Sequence, residues 1–230
     1  MHNVRAIMER YMDKVFNQPT ELVYIRDLAQ QQGDIRQAAR LLKAGQLVAF
    51  PTETVYGIGA LGLDKEAVQR LYEAKNRPAG KAFSLQVANV QMIQQVAGCV
   101  PLLARKLLAK FAPGPITVIL PKSASVPDLV TGGRDTVGVR IPDNPVALAL
   151  LEAVGAPLAV PSANISGHAS PKTGTDVYGD MVGRLAMILD AGPCAIGRES
   201  TIVDCTGTKP VIVRHGAISD EDIMSAAEAR

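Results

Sequence analysis

Residues 74–84 read AKNRPAGKAFS, and three cations, Lys75, Arg77 and Lys81, fall within seven positions of one another. A helical pattern with Ala67, Val68, Leu71 and Tyr72 on one side runs into this stretch, and an apolar run, Phe83 to Val87, leaves it. Pro78 cannot continue a helix and Gly80 frees the backbone, so the stretch is a corner between a helix and a strand. Arg offers phosphate oxygens a planar fork and Lys a point charge, so three cations at one corner suit a polyanion better than a single carboxylate. Lys and Arg also crowd helix C-termini because of the dipole there. Taken alone, the corner favours a solvated basic turn, and the rest of the chain has to shift the balance.

The 230 residues, 47% hydrophobic and 20% charged, fit one large α/β domain or two small ones with a substantial core. No run of apolar residues is long enough to cross a bilayer. The N-terminal MHNVRAIMERYMDKVF carries Glu9 and Asp13 and lacks a secretory apolar core, so a cytoplasmic protein is expected. Cys99, Cys194 and Cys205 form no C-x-x-C, and His2, His168 and His215 are scattered. Neither a disulfide framework nor a metal held by protein side chains is expected. The net charge of +2 is below the basic excess of a dedicated nucleic-acid binder, although contact with tRNA through a local patch stays open.

Upstream of the corner, Asp64 caps the helix 65–75. Before it, PTETVYGIGALGL (51–63) places hydroxyls at Thr52 and Thr54 and glycines at 57, 59 and 62 after a strand. The spacing is neither the dinucleotide fingerprint nor a Walker loop. A twisted glycine-containing strand and a close approach to a ligand are equally good readings. Further back stand an appended helix over 4–17, a strand over 20–27, a helix opened by Asp34 and closed by Gly45, and a strand over 46–50.

Downstream, helices over 90–96 and 102–111 lead through Pro113-Gly-Pro to a strand at 116–120 and a polar, turn-rich loop at 123–135 close to the site. Thr136–Ile141 alternates around Arg140, which is either an edge charge or the buried partner of a carboxylate. Asn144 and Pro145 open a helix that ends at Gly155. The strand 157–160 runs into PSANISG (161–167), whose small hydroxyl and amide side chains suit a ligand crevice and an ordinary turn alike. A helix at 176–182, strands at 186–189, 200–204 and 211–214, and a tail helix from Ser219 or Asp220 complete the chain. Strands and helices interleave without strict alternation, which predicts an α/β fold with a twisted sheet of parallel and antiparallel strands.

Six motifs in order resemble one family, the YrdC-like threonylcarbamoyl-adenylate synthases. They are the Pro51–Gly57 turn, Lys75-x-Arg77, Pro113-Gly-Pro before a strand, the Val139-Arg-Ile-Pro run, Ser162-x-Asn164 and Glu199–Asp204. The resemblance covers about residues 34–216. It implies a catalytic domain there, an N-terminal extension over 1–33, and a C-terminal helix of the same domain over 217–230, as in the short single-domain members. It also implies a large open concave face lined with positive charge. The reaction implied joins L-threonine, bicarbonate or CO2, and ATP with Mg2+ to give threonylcarbamoyl-AMP and pyrophosphate. This is the first step of threonylcarbamoyladenosine (t6A) formation in tRNA, and a separate transferase completes it.

Residue by residue, the resemblance gives Lys75 and Arg77 the catalytic cations. It gives ATP Arg77, Lys81, Thr136, Ser162, Asn164, Ser170 and Arg214. Threonine falls to Thr54, Gln86, Arg140, Val160 and Ser200, with Arg140 on its carboxylate. Many members carry a His where Gln86 stands, and Gln cannot titrate. No residue is an obvious general base, so catalysis is expected to be chiefly positioning. The competing reading is a double-stranded RNA or tRNA-binding protein of the same fold, with the cations on backbone phosphates.

Overall fold

The computed structural model describes residues 19–229. The strands are β1 (Glu21–Tyr24), β2 (Val48–Phe50), β3 (Gly57–Leu61), β4 (Ser84–Gln86), β5 (Ile116–Pro121), β6 (Thr136–Arg140), β7 (Leu158–Ala159), β8 (Met187–Asp190), β9 (Thr201–Asp204) and β10 (Val211–Arg214). The helices are α1 (Gln32–Lys43), α2 (Lys65–Ala74), α3 (Val90–Ile93), α4 (Leu102–Phe111), α5 (Asp128–Thr131), α6 (Pro145–Val154), α7 (Gly174–Met181) and α8 (Asp220–Glu228). The strands form one sheet in the order β1-β8-β2-β3-β7-β4-β6-β5-β9-β10. Pairs β1–β8, β8–β2, β4–β6 and β5–β9 are parallel and the other five antiparallel, so the sheet is mixed as expected. The helix expected over 4–17 lies outside the described residues.

Local chemistry explains most elements. The Asp64 carboxylate accepts from the Glu66 and Ala67 amides at 2.8 and 3.2 Å and opens α2. Asn144 does the same for α6, with Pro145 at its first position and Gly155 closing it at φ +69°. Asp34 does not open α1. The helix starts at Gln32, because the Gln31 side chain donates to Tyr24 O at 2.6 Å and accepts from Arg26 N at 2.7 Å, tying the chain from β1 to the helix. Asp34 lies in the first turn, where a carboxylate still suits the dipole. The segment 123–135 is not loop alone. It contains α5, ended by Gly132 at φ +62°, and it is held where Phe83 N donates to Val130 O at 2.7 Å.

β1 pairs with β8 in register from Glu21–Met187 to Tyr24–Asp190, so residues 21–24, within the extension expected over 1–33, add a strand to the main sheet. Backbone pairing along all four residues carries them there. At the other end Ile218 and Ile223 are buried in the core, and α8 packs on α4. The core is continuous through Phe50, Ile58, Leu71, Leu85, Leu107 and Ile116. α1 packs on α6, α2 on β3, and α7 on β8. Two glycines are required by close packing inside the protein. A Cβ on Gly57 would stand 2.5 Å from Val160 Cγ1, and one on Gly62 would stand 2.5 Å from Leu85 Cδ2. The described cysteines are all free, and among the described residues no helix is long and apolar enough to cross a membrane.

Candidate active site

A cavity of about 220 Å3 opens where the turn before β3, the strands β4 and β6, and the segments flanking β7, β9 and β10 converge. Thr54, Arg77, Gln86, Arg140, Val160, Ser162, Ser200 and Arg214 line it, so residues far apart in the sequence are brought together as expected. Lys75, Lys81, Thr136, Asn164 and Ser170 do not line it.

Arg140 is 6% exposed at the end of β6. Its Nη2 donates to Glu53 Oε1 at 2.7 Å and to Thr54 Oγ1 at 2.9 Å, and its Nε donates to Gly114 O at 3.2 Å. The other Glu53 oxygen accepts from Asp143 N at 3.1 Å. Of the two readings of a lone arginine, the buried carboxylate partner is the one realised. Nη1 has no hydrogen-bond partner among the described residues. Thr54 Oγ1 also lies 2.8 Å from Thr52 Oγ1, which donates to Val55 O at 2.7 Å. The Thr52 proton is therefore committed to Val55, and Thr54 donates to Thr52 while accepting from Arg140.

Across the cavity, Arg214 wraps Ser200. Its Nε and Nη2 donate to Ser200 O at 3.0 and 2.9 Å, and Nη2 also reaches Ser200 Oγ at 2.9 Å. Its Nη1 pairs with Glu199 Oε2 at 2.8 Å, and Ser170 Oγ donates to Glu199 Oε1 at 2.9 Å. Burial lowers the Arg214 pKa, Glu199 opposes that shift, and Arg140 adds to it. Ser200 Oγ completes a hydroxyl pair with Thr117 Oγ1 at 2.9 Å.

The basic corner splits. Asn76 has φ +49°, which Asn tolerates better than most residues. Arg77 N bonds back to Tyr72 O and Asn76 N to Glu73 O, closing α2 in a Schellman turn. Past that reversal Arg77 lies over the Phe83 ring at 4.7 Å, with Nε on Lys81 O at 3.1 Å and Nη2 on Ala82 O at 2.8 Å. Burial lowers its pKa and Tyr72 opposes the shift. Lys75 goes the other way, into the protein. It is 1% exposed, and its Nζ donates to Ser162 O at 2.5 Å and to Asn164 O. The Asn164 amide folds onto its own turn, donating to Ile165 O and His168 O at 2.9 Å each. Lys81 is exposed, and Thr136 is half-buried opposite Pro121 at the start of β6.

Gln86 is 4% exposed, lines the cavity, and has an Oε1 that is buried with no partner. A buried amide oxygen without a donor is costly, and a ligand that donates to it removes the cost. Glu53 and Glu199 are the site residues that sequence reasoning missed. Both sit inside quoted motifs, but nothing in the sequence pairs them with Arg140 and Arg214. Among the described residues no group of three or more His, Cys, Asp or Glu side chains is placed to hold a metal ion.

These features define a mixed α/β protein whose sheet carries one cavity lined by three arginines, one carboxylate and several hydroxyls. The Sua5/YciO/YrdC family model, described as telomere recombination, matches residues 40–216, and the chain belongs to that family. A Pyrococcus abyssi protein named threonylcarbamoyl-AMP synthase is 46% identical over 84% of this chain and 57% of its own length. A Bacillus subtilis protein of the same name is 43% identical over 86% of this chain and 57% of its own. The chain thus spans little more than half the length of these relatives. The crystal structure of P. abyssi Sua5 complexed with L-threonine superposes with a TM-score of 0.86 at 43% identity, covering 91% of this chain and 61% of that one.

Proposed function

We propose that this chain is an L-threonylcarbamoyladenylate synthase, joining L-threonine, bicarbonate or CO2, and ATP into threonylcarbamoyl-AMP with release of pyrophosphate. The observation that carries the reading is Arg140. Glu53 and Thr54 hold one edge of its guanidinium, and the other, at Nη1, is left for an anion in a cavity of amino-acid size. A threonine carboxylate meets Arg140, its hydroxyl finds Thr54 or Ser200, and its methyl rests on Val160. The relatives' names and the threonine-bound relative support the same reading.

The amine of threonine attacks CO2 and loses a proton to give the carbamate. A carbamate oxygen then attacks the α-phosphorus, and pyrophosphate leaves. Arg77 and Arg214, which line the same cavity, stabilise charge on the phosphoryl oxygens and on the leaving group. A cavity of about 220 Å3 is too small for ATP, so the nucleotide extends over the open flank toward Lys81, Thr136, Ser162 and Ser170. Mg2+, when bound, supplies charge neutralisation on the phosphates, which are its preferred ligands. Gln86 offers its unpartnered oxygen to a substrate N–H. We assign the catalytic unit to residues 34–216, completed by β1 and α8, in the cytoplasm, passing its product to a transferase that acts on tRNA.

Pyrophosphate release from ATP, Mg2+ and bicarbonate tests the reading when L-threonine is compared with serine and valine. Valine lacks the hydroxyl and leaves buried polar groups unpaired, so it is expected to be the poorer substrate by orders of magnitude, roughly 10^4-fold where a site is built around a hydroxyl. Equal release with all three, or none with any, overturns the proposal.

A further inference from the structure

We propose that Lys75 is a positioning residue. Its ammonium clamps the turn Ser162–Ser166 against the end of α2, and Arg77 is the member of the basic corner that meets the ligand. The consequence for catalysis rests on the synthase reading, but the clamp does not, and its test needs no substrate.

Lys75 holds the turn from both its side chain and its backbone. Nζ donates to Ser162 O at 2.5 Å and to Asn164 O, while Lys75 O accepts from Ser166 N at 2.8 Å. Ala163 N adds one bond to Tyr56 O at 2.9 Å. Elsewhere the turn is held by Ala163, buried in the core, by the bridge from Ser162 to Gly57, and by Ile165 N, which donates to Asp180 Oδ2 at 2.7 Å, yet two of its own polar atoms stay unpaired. Asn164 Oδ1 and Ser166 Oγ are buried without partners, and the Asn164 amide is spent within the turn itself. Ser162 lines the cavity, so the clamp sets one wall of the site. Two of the three ammonium N–H groups are engaged on backbone carbonyls, and at 1% exposure Lys75 does not line the cavity, so reaching a phosphate there means turning away from the turn it holds. Charge-assisted bonds of this kind are among the strongest a side chain makes.

The clamp is tied to pH. Arg77 faces Lys75 from its own segment, Asp180 from α7, and Glu199 from the segment before β9. His168, on the far side of the turn, pairs with Asp180 at 2.6 Å, and Asp180 Oδ2 accepts from Ile165 N at 2.7 Å. Arg184 donates to Ala74 O at 3.1 Å beside it. Burial first, and Arg77 second, lower the Lys75 pKa from 10.5 to about 7, against the opposing pull of Asp180 and Glu199. As pH rises through neutrality the amine loses its charge and one of its three N–H donors but keeps two for the carbonyls, and because the released amine binds its proton more tightly than the buried one, the clamped turn is favoured.

Amide hydrogen exchange on the free full-length protein tests this. In Lys75→Met, protection of the Ser166 amide is expected to fall about tenfold or more, the equivalent of one charge-assisted hydrogen bond, while Val118 in β5 keeps its protection. In the unaltered protein, Ser166 protection corrected for intrinsic exchange is expected to rise between about pH 7 and about pH 9, and the rise disappears in the variant. Unchanged Ser166 protection in Lys75→Met overturns the proposal. If Lys75→Met does not fold, the titration of the unaltered protein decides. A rise at Ser166 supports the clamp, and a flat profile overturns it.

Discussion

Arg140 and Glu53 form a buried ion pair, Nη2 to Oε1 at 2.7 Å, between residues 87 apart in the sequence. The two side chains are 7% and 8% exposed, so neither charge is screened by water. Buried pairs add little net stability over an apolar pair, but removing one partner strands the other charge. Glu53→Ala is therefore expected to cost about 3 to 5 kcal/mol in urea unfolding. Glu53→Gln, which keeps an acceptor for Nη2, costs less. In the Gln variant Arg140 is no longer neutralised, and the KM for threonine shifts while that for ATP holds.

Glu199 sits in the cavity wall and pairs with Arg214, at 40% and 39% side-chain exposure. Exposed pairs of this kind contribute about 0 to 1 kcal/mol, so Glu199→Gln leaves stability nearly unchanged. It removes a negative charge from a surface proposed to receive a polyanion. Pyrophosphate affinity, followed by calorimetry, is expected to rise several-fold and the gain to shrink with added salt. A weaker affinity makes Glu199 an organiser of Arg214 that the nucleotide needs.

Gln86 carries a buried oxygen with no partner in the free protein. Removing an unsatisfied buried acceptor without leaving a void relieves part of a penalty of about 1 to 3 kcal/mol. Gln86→Leu is expected to unfold at the same or a higher urea concentration and yet to bind its substrates more weakly. Stability held while binding falls is the signature of a ligand contact, whereas parallel loss of both marks a structural role.

Stability should also carry a mark of Lys75. Its pKa is about 7 in the folded protein and 10.5 as the ordinary value, so between those limits the unfolded chain binds more protons. Stability attributable to this group therefore rises with pH through that window, and the full cost of burying the ammonium is felt below pH 7. The unfolding free energy of the unaltered protein minus that of Lys75→Met is expected to increase from neutral to alkaline pH. Global stability and the local hold on Ser166 thus move in the same direction, and a flat difference contradicts the assignment.

The elements most legible in the sequence are those whose signals are local. Asp64, and Asn144 with Pro145 and Gly155, bracket α2 and α6 because caps act within one turn. Asp34 misled because the start of α1 is set by Gln31 reaching back to β1. α5 is four residues long, too short for a helical period to show. In the site, Thr54, Arg140 and Ser200 lie in the quoted motifs and Arg214 follows from the family resemblance, and the cavity unites them. Lys75 and Arg77 looked equivalent because their divergence depends on the backbone at Asn76. Glu53 and Glu199 escaped notice because an arginine's partner across a sheet leaves no trace in spacing. The glycines at 57 and 62, read as equally suited to a ligand or a twisted strand, make room for Val160 and Leu85.

In the proposed reaction threonine's nitrogen, not its carboxylate, becomes linked to the adenylate through a carbon from bicarbonate. 13C-labelled bicarbonate incubated with the protein, L-threonine, ATP and Mg2+ tests this directly by NMR. A labelled carbonyl signal split by phosphorus is expected, which appears only when threonine is present and disappears in Arg140→Ala. Pyrophosphate release with no label incorporated would contradict it and point to an ordinary threonyl-adenylate formed at the carboxylate.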